Sequence, residues 1–403
     1  MSIATAEVST DRNTSTGVPP RSNDLVKVLH VINGEDYGGA ERVQDLLALR
    51  LPEFGYEISF VCIKPDRFER VRQCQATDLV KFPMGSRLDI SPVRRVARMA
   101  RQGGYAIIHT HSPRTLLIGR PAAALAGVPV VHHVQCPAIA DGSRRWLNQF
   151  NAVLERGLLS GVREILPVSH SLGEYLSRMR ISNGRWTVIP NAVPVRGPLP
   201  ERPRPTDPWT IGICALFRPR KGIAVLMEAL AKLKIGGLKF RLRAVGYFTE
   251  PDYERQIKEM ASRFGLDDLI DWRGFSDNVY DELAEMDIFT LPSLQGEGLP
   301  LAILEAMAAG VPVVSTDVEG TPEAVRNGID GVICKPGDAD DLAAGFARIM
   351  RGELDWQALR ESAHARQAEH YSDTKLAHDV AAVYDRALGK TPRTDNSVRH
   401  IPR

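Results

Sequence analysis

Short runs of β-branched and aliphatic residues alternate with stretches of helical period along almost the whole chain. In the first half the runs VKVLHVI, YEISFVCI, DLVKFP, YAIIHTH, VPVVHHV and EILPVS have the length and composition of strands. Patterns such as AERVQDLLALRL and SPVRRVARMARQ separate them. A proline-rich stretch, PNAVPVRGPLPERPRPTDP, then interrupts every period and reads as a linker. Beyond it the pattern restarts with WTIGICALF, FRLRAVG, LIDWRGF, DIFTLPS and VPVVSTD, alternating with helices such as IAVLMEALAKLK. Such alternation predicts an α/β chain with two Rossmann-like, doubly wound parallel-sheet domains facing a cleft. The boundaries read as 25–193 for the first domain, 194–208 for the linker and 209–365 for the second. Residues 1–24 and 391–403 are polar and are expected to be disordered. Ligands of doubly wound sheets gather beyond the carboxyl ends of the strands, so the informative residues should follow strands.

Composition changes this picture little. A chain of 403 residues suits two or three domains, and a formal net charge of +2 points to no nucleic-acid partner. Five scattered cysteines form no CxxC pair, which argues against a zinc site or a disulfide framework and fits a reduced cytoplasm. No apolar run approaches the roughly 20 residues that span a bilayer, so a soluble or peripheral protein is expected.

The chemistry concentrates at strand ends. In QGEGLPLAILEAMAAGVPVVSTD, Glu305 sits in a helix among apolar and small neighbours, where a charge requires a partner. Glu297 lies just outside the same helix, and Pro300 stands near the first helical position. The backbone N–H groups of Gly298, Leu299 and Leu301 should face the cleft. At ICALFRPRKGIAVLMEAL, Arg218, Arg220 and Lys221 crowd a helix start, where cations are mildly unfavourable unless an anion joins them. Gly38 and Gly39 in YGGAERV permit close backbone approach to a ligand, although neither the Rossmann nor the Walker glycine pattern is present. His109, His111, His132 and His133 pair up at two strand ends, either orienting ligands or serving as satisfied structural residues. The D-x-D within GDADDLA reads as a helix N-cap at Asp338 and not as a metal site.

Taken together, YGGAERV, HTH, ILPVSHSL, VIPNAV, RPRKG, LPS and EGLPLAILEAMAAGVPVVSTD followed by EGTPEAVRNGIDG resemble family 4 of the retaining glycosyltransferases, which have the GT-B fold. The likeness runs from about Lys27 to Asp385, and the two glutamates separated by seven residues are its most specific part. It implies that Glu305 holds the donor ribose and Glu297 faces the donor sugar. Lys221, with Arg218, would bind the pyrophosphate, and Gly38 and Gly39 would close over the phosphates. A last helix, over 366–390, should cross back to the first domain. Gln135 stands where the family commonly has histidine. His133, two residues away, is the substitute if the strand alternation holds. His111 and Gln135 are then candidate acceptor or sugar contacts.

The resemblance implies transfer of a sugar from a UDP- or GDP-sugar to a glycan or lipid-linked acceptor, with retention and without a metal or other cofactor. Two alternatives share the architecture: a sugar-nucleotide epimerase, and a catalytically silent nucleotide-sugar-binding subunit. The helix pattern SPVRRVARMARQ, with Arg94, Arg95, Arg98 and Arg101, is a candidate for contact with an anionic membrane at its cytoplasmic face.

Overall fold

The computed structural model describes residues 25–86, 89–136, 156–178 and 186–391. The disorder expected for 1–24, and for 391–403 beyond its first residue, lies outside them. The first sheet comprises β1 (Val26–Ile32), β2 (Tyr56–Cys62), β3 (Leu79–Lys81), β4 (Ile107–Thr110), β5 (Val130–Val134) and β6 (Glu164–Pro167). The second comprises β7 (Trp209–Cys214), β8 (Phe240–Val245), β9 (Ile270–Gly274), β10 (Ile288–Leu291), β11 (Val313–Thr316) and β12 (Gly331–Cys334). Each of the eleven quoted runs contains one strand. β12 escapes notice because it has four residues, the first of them glycine.

Every pairing within the two sheets is parallel. Their orders are β3-β2-β1-β4-β5-β6 and β12-β11-β10-β7-β8-β9, the same winding twice. In each, the order reverses between the first and fourth strands of the domain, which opens a crevice above that point. Strands covered on both faces need continuous apolar runs; accordingly Val28, Leu29, Val31 and Ile32 of β1 are all fully buried. Phe289 and Val313 face a core shared with the first domain, while Ile288 and Val314 face a second core on the far side of the sheet.

The helices of the first domain are α1 (Gly39–Arg50), α2 (Arg67–Val71), α3 (Pro92–Gln102), α4 (Pro113–Ala126) and α5 (His170–Arg178). Those that follow β7 are α6 (Ile223–Ile235), α7 (Pro251–Arg263), α8 (Val279–Ala284), α9 (Leu301–Ala308), α10 (Thr321–Ala324), α11 (Ala339–Met350), α12 (Trp356–His370) and α13 (Asp373–Ala387). Asp338 caps α11, accepting from the N–H groups of Asp340 and Asp341 at 3.1 and 3.0 Å, so the D-x-D is spent on a helix start.

The chain passes between the domains twice. It crosses first after Ile189 and returns at Tyr371–Ser372, and the two passages touch. The Val193 N–H donates to the Tyr371 carbonyl at 3.1 Å, and the Gln367 amide donates to the carbonyls of Val193 and Tyr371. Beyond this point α13 lies on the first domain. Arg50 pairs with Asp373 at 2.7 Å, the Tyr56 hydroxyl donates to Asp385 at 2.6 Å, and the Tyr384 hydroxyl joins His30 Nε2 and His109 Nδ1 at 2.9 and 2.7 Å.

That last contact sits in a buried group of imidazoles. His30 Nδ1 meets His111 Nε2 at 3.1 Å, His132 Nδ1 meets the Thr110 hydroxyl at 2.7 Å, and His133 Nε2 meets the Ile189 carbonyl at 3.3 Å. Burial, reinforced by His133, lowers His30 and His132 to about 3; burial alone lowers His133 to about 4. All are neutral when folded near neutrality, whereas an unfolded histidine protonates near 6.5. The unfolded chain therefore takes up protons that the folded chain refuses, and stability falls as pH drops from 6.5 toward 4. Denaturant midpoints should be flat from pH 8 to 7 and decline steeply below 6.5; a flat profile down to pH 5 would contradict the neutral cluster.

Candidate active site

The crevices of the two sheets face each other across a cavity of about 600 Å³. Three helix or turn starts converge on it, from segments that follow β1, β7 and β10. Gly38 and Gly39 lead into α1, and Gly39 lies opposite Leu301 at the start of α9. The third is a single 3₁₀ turn, Pro219–Lys221, that precedes α6. Gly222 joins turn to helix with φ of 70°, and a side chain there would run into the Pro292 carbonyl. Only glycine lets this turn seat against the end of β10.

The two glutamates have partners from outside their own helix. Glu305, 3% exposed within α9, is ion-paired to Arg42, which reaches over from α1 in the opposite domain. Nothing in the sequence marks Arg42, although it lies within YGGAERV; only tertiary structure brings it to Glu305. Burial and then Glu305 also push the Tyr280 phenol above its ordinary value, and its hydroxyl has no hydrogen-bond partner among the described residues.

Glu297 receives Lys221 Nζ at 2.6 Å and the Ser293 hydroxyl at 2.5 Å, with Arg220 Nη1 at 3.7 Å. Arg220 also donates to the Gly296 carbonyl at 2.8 Å. Adjacent residues on this turn thus converge on one loop. Arg220 and Lys221 both line the cavity, because a 3₁₀ turn followed by a left-handed glycine does not alternate sides. Burial lowers Lys221 from its ordinary value, opposed by the Glu297 charge beside it. The Arg218 guanidinium lines the same cavity with no hydrogen bond or ion pair among the described residues, and Arg67 enters from α2, its guanidinium 4.9 Å from the Phe275 ring centre. The cavity therefore offers Arg218 as a free cation beside two paired carboxylates, an electrostatic setting suited to a polyanion.

Of the residues expected at the site, Gly38, Gly39, Gln135, Arg218, Lys221, Glu297, Leu299, Leu301 and Glu305 line the cavity. Gly298 does not. At φ of 52° it packs under the loop, where a Cβ would meet the Gln135 carbonyl. His133 and His111 are absent from the lining as well; both belong to the buried cluster below it. β5 ends at Val134, so strand alternation no longer ties the direction of Gln135 to that of His133. Among the described residues no histidine lines the cavity. The ring nitrogens of His30, His109 and His111 come within 4.8 Å of one another; His30 and His109 are hydrogen-bonded to the Tyr384 hydroxyl, and His30 and His111 to each other. Asn191, from VIPNAV, lines the cavity and donates to the Leu299 carbonyl at 2.9 Å. Gln135 Nε2 and Asn191 Oδ1 are buried without hydrogen-bond partners among the described residues.

Two facing doubly wound domains with a cation-lined cavity between them define the GT-B class of architecture. The model for glycosyl transferases group 1 matches residues 199–367, and that for the glycosyl transferase 4-like domain matches 38–192. The chain belongs to the family 4 type of GT-B glycosyltransferases. It is 34% identical over 177 residues to the putative colanic acid biosynthesis glycosyltransferase WcaL of Salmonella typhimurium, a match covering 42% of this chain and 43% of that one. The chain likewise spans 45% of the length of the amylovoran biosynthesis glycosyltransferase AmsK of Erwinia amylovora, at 33% identity over 45% of its own length. A longer match, 27% identical over 81% of this chain and 89% of the relative, is to an Escherichia coli UDP-Gal:alpha-D-GlcNAc-diphosphoundecaprenol alpha-1,3-galactosyltransferase. Among solved structures, Anabaena Alr3699/HepE in complex with UDP and glucose superposes with a TM-score of 0.76, covering 90% of this chain and all of that one at 19% identity.

The Arg42–Glu305 pair yields a stability test. Replacing Arg42 with alanine leaves Glu305 buried without its cation and should lower the stability of the ligand-free protein by about 1.5–3 kcal/mol. The partial exposure of Arg42 favours the lower end. Arg42→Lys should recover part of the loss, and urea unfolding of the three proteins measures both; equal midpoints would show that the pair contributes nothing.

Proposed function

We propose that this protein transfers a sugar from a nucleoside-diphosphate donor to an acceptor hydroxyl, with retention of anomeric configuration and without a metal, in the building of a polysaccharide or glycolipid. The observation that carries this reading is the convergence of Glu297, Glu305, Lys221, Arg218 and Arg220 on one cavity between the domains. Glu305 is placed to accept the ribose hydroxyls, with Arg42 yielding or sharing its seat. The diphosphate lies by Arg218, Arg220 and Lys221, opposite Gly38 and Gly39. Glu297 then faces the donor sugar.

The bond between the anomeric carbon and the phosphate oxygen breaks as the acceptor oxygen bonds to that carbon, through an oxocarbenium-like state. The negative charge left on the diphosphate is met by cations already in place, so they stabilise the transition state more than the bound donor. The acceptor proton passes to the departing phosphate, which removes the need for a protein base. The lack of histidine along the cavity among the described residues disfavours an epimerase that would work the sugar by imidazole acid–base chemistry. Names of relatives support the setting: one is named a putative colanic acid biosynthesis glycosyltransferase, and one an alpha-D-GlcNAc-diphosphoundecaprenol galactosyltransferase.

A panel of UDP- and GDP-sugars offered with lipid-linked and free glycan acceptors tests the whole reading. Transfer supports it, donor conversion without transfer indicates an epimerase, and binding alone indicates a silent subunit. Glu305→Gln should weaken donor binding in calorimetry by roughly 1.5–3 kcal/mol while leaving the fold intact. Lys221→Ala should cut turnover by roughly 10²–10³. Arg220→Ala should also be impaired, since Arg220 holds the Gly296–Glu297 loop. Chelators should leave wild-type turnover nearly unchanged; abolition by EDTA overturns the metal-free reading.

The first domain also presents a cationic face. In α3, Val93, Val96, Ala97 and Ala100 are buried, whereas Arg94, Arg95, Arg98 and Arg101 are exposed and form no ion pair among the described residues. No described helix is long and apolar enough to cross a membrane. We propose that α3 rests on anionic lipid head groups. Co-sedimentation with vesicles should be stronger for anionic than for neutral lipid, and weakened when these arginines are replaced by glutamine; equal binding to both vesicles removes the idea.

A further inference from the structure

The direction in which Glu297 points is set by the loop that carries it, and that loop has an unusual support. The N–H groups of Gly296 and Glu297 both donate to a single carboxylate, that of Glu319, at 2.9 Å for Gly296 and in a shorter contact for Glu297. Glu319 follows β11 and belongs to neither the helix nor the strand beside it. Its φ of 44° makes it the sole non-glycine residue in the left-handed region among the described residues. An L-residue with a long side chain is held there only when its surroundings over-determine it.

Those surroundings are the loop itself. Gly320, the next residue, passes so close to Gly298 that a side chain on it would collide with the Gly298 carbonyl. On the other side, Arg220 donates to the Gly296 carbonyl at 2.8 Å. The Gly296–Glu297 peptide is thus gripped from both faces, by a carboxylate on its N–H groups and by a guanidinium on a carbonyl. With the backbone held in this way, the Glu297 carboxylate points toward Lys221, Ser293 and the cavity.

We infer that Glu319 is a positioning residue. It acts through the loop backbone to hold Glu297 toward the reacting end of the donor, and touches neither donor nor acceptor itself. The inference rests on the proposed transfer reaction for its catalytic meaning, but its structural content stands apart from that reaction. Glu319 also fills two N–H groups that would otherwise attract a ligand anion, so the phosphates are left to Arg218, Lys221 and the helix starts.

The left-handed backbone supplies the test. Glu319→Gly removes the carboxylate and at the same time suits the local φ, so the folded protein should melt at or above the wild-type temperature. Its kcat should nonetheless fall roughly 10–100-fold, the scale expected for a slightly misplaced group, with donor KM within about threefold of wild type. Glu319→Gln, which keeps one acceptor oxygen, should lie between the two. Independently of any activity, amide hydrogen exchange at Gly296 and Glu297 should accelerate in Glu319→Gly. Unchanged exchange overturns the clamp even if no nucleotide sugar turns over. Faster exchange with unchanged kcat overturns the positioning role, as does a kcat loss that tracks a lowered melting temperature.

Discussion

Two carboxylates buried within nine residues of one another constrain the rest of the cleft. Neither Glu297, in the loop before α9, nor Glu305 within it finds a cation nearby in sequence, so each draws one from elsewhere: Lys221 from the turn after β7, and Arg42 from the opposite domain. A buried charge without a partner costs more than the pair returns when made, so these contacts fix where the neighbouring segments must lie. The approach of α1 to α9, the left-handed Gly222 that aims the 3₁₀ turn, and the Glu319 clamp under the loop all serve that requirement. The cavity is the space left between the elements so drawn together.

Much of this was legible in the chain. Continuous apolar runs such as VKVLHVI and VPVVSTD are the pattern that doubly covered parallel strands demand, and they locate eleven of the twelve strands. The short GVIC, opened by glycine, carries too little pattern to be seen. Glu305 stood out because its neighbours are all apolar, a local signal. Arg42 carried no such signal, since an arginine in the first turns of a helix looks like any solvated residue until the other domain is set against it. Glu319 was equally silent: nothing in EGTPEAV announces a glutamate in a glycine conformation.

The histidines admit two readings in the sequence, and the structure takes the structural one for His111 and His133. Paired imidazoles after two strands look like ligand contacts, and the structure spends His111 and His133 on a buried cluster beneath the site. His111 meets His30, His133 meets the Ile189 carbonyl, and His30 and His109 both meet the Tyr384 hydroxyl of α13. Tyr384 lies 275 residues beyond His109, so no local window could have revealed that partner. The same cluster ties the returning helix to the first sheet, which makes the histidines a fastening and leaves the cleft chemistry to carboxylates, amides and cations.

The double passage between the domains has a mechanical consequence. A single covalent tether would let one lobe swing and twist about the other in any direction. Here two tethers run side by side and are hydrogen-bonded to each other where Val193 meets Tyr371 and Ser372. Paired pins of this kind leave chiefly one easy rotation, about the line joining them, and resist torsion across it. Any rotation of one lobe against the other would then carry Arg42 along nearly the same arc relative to Glu305, and so keep the two walls of the cleft in register.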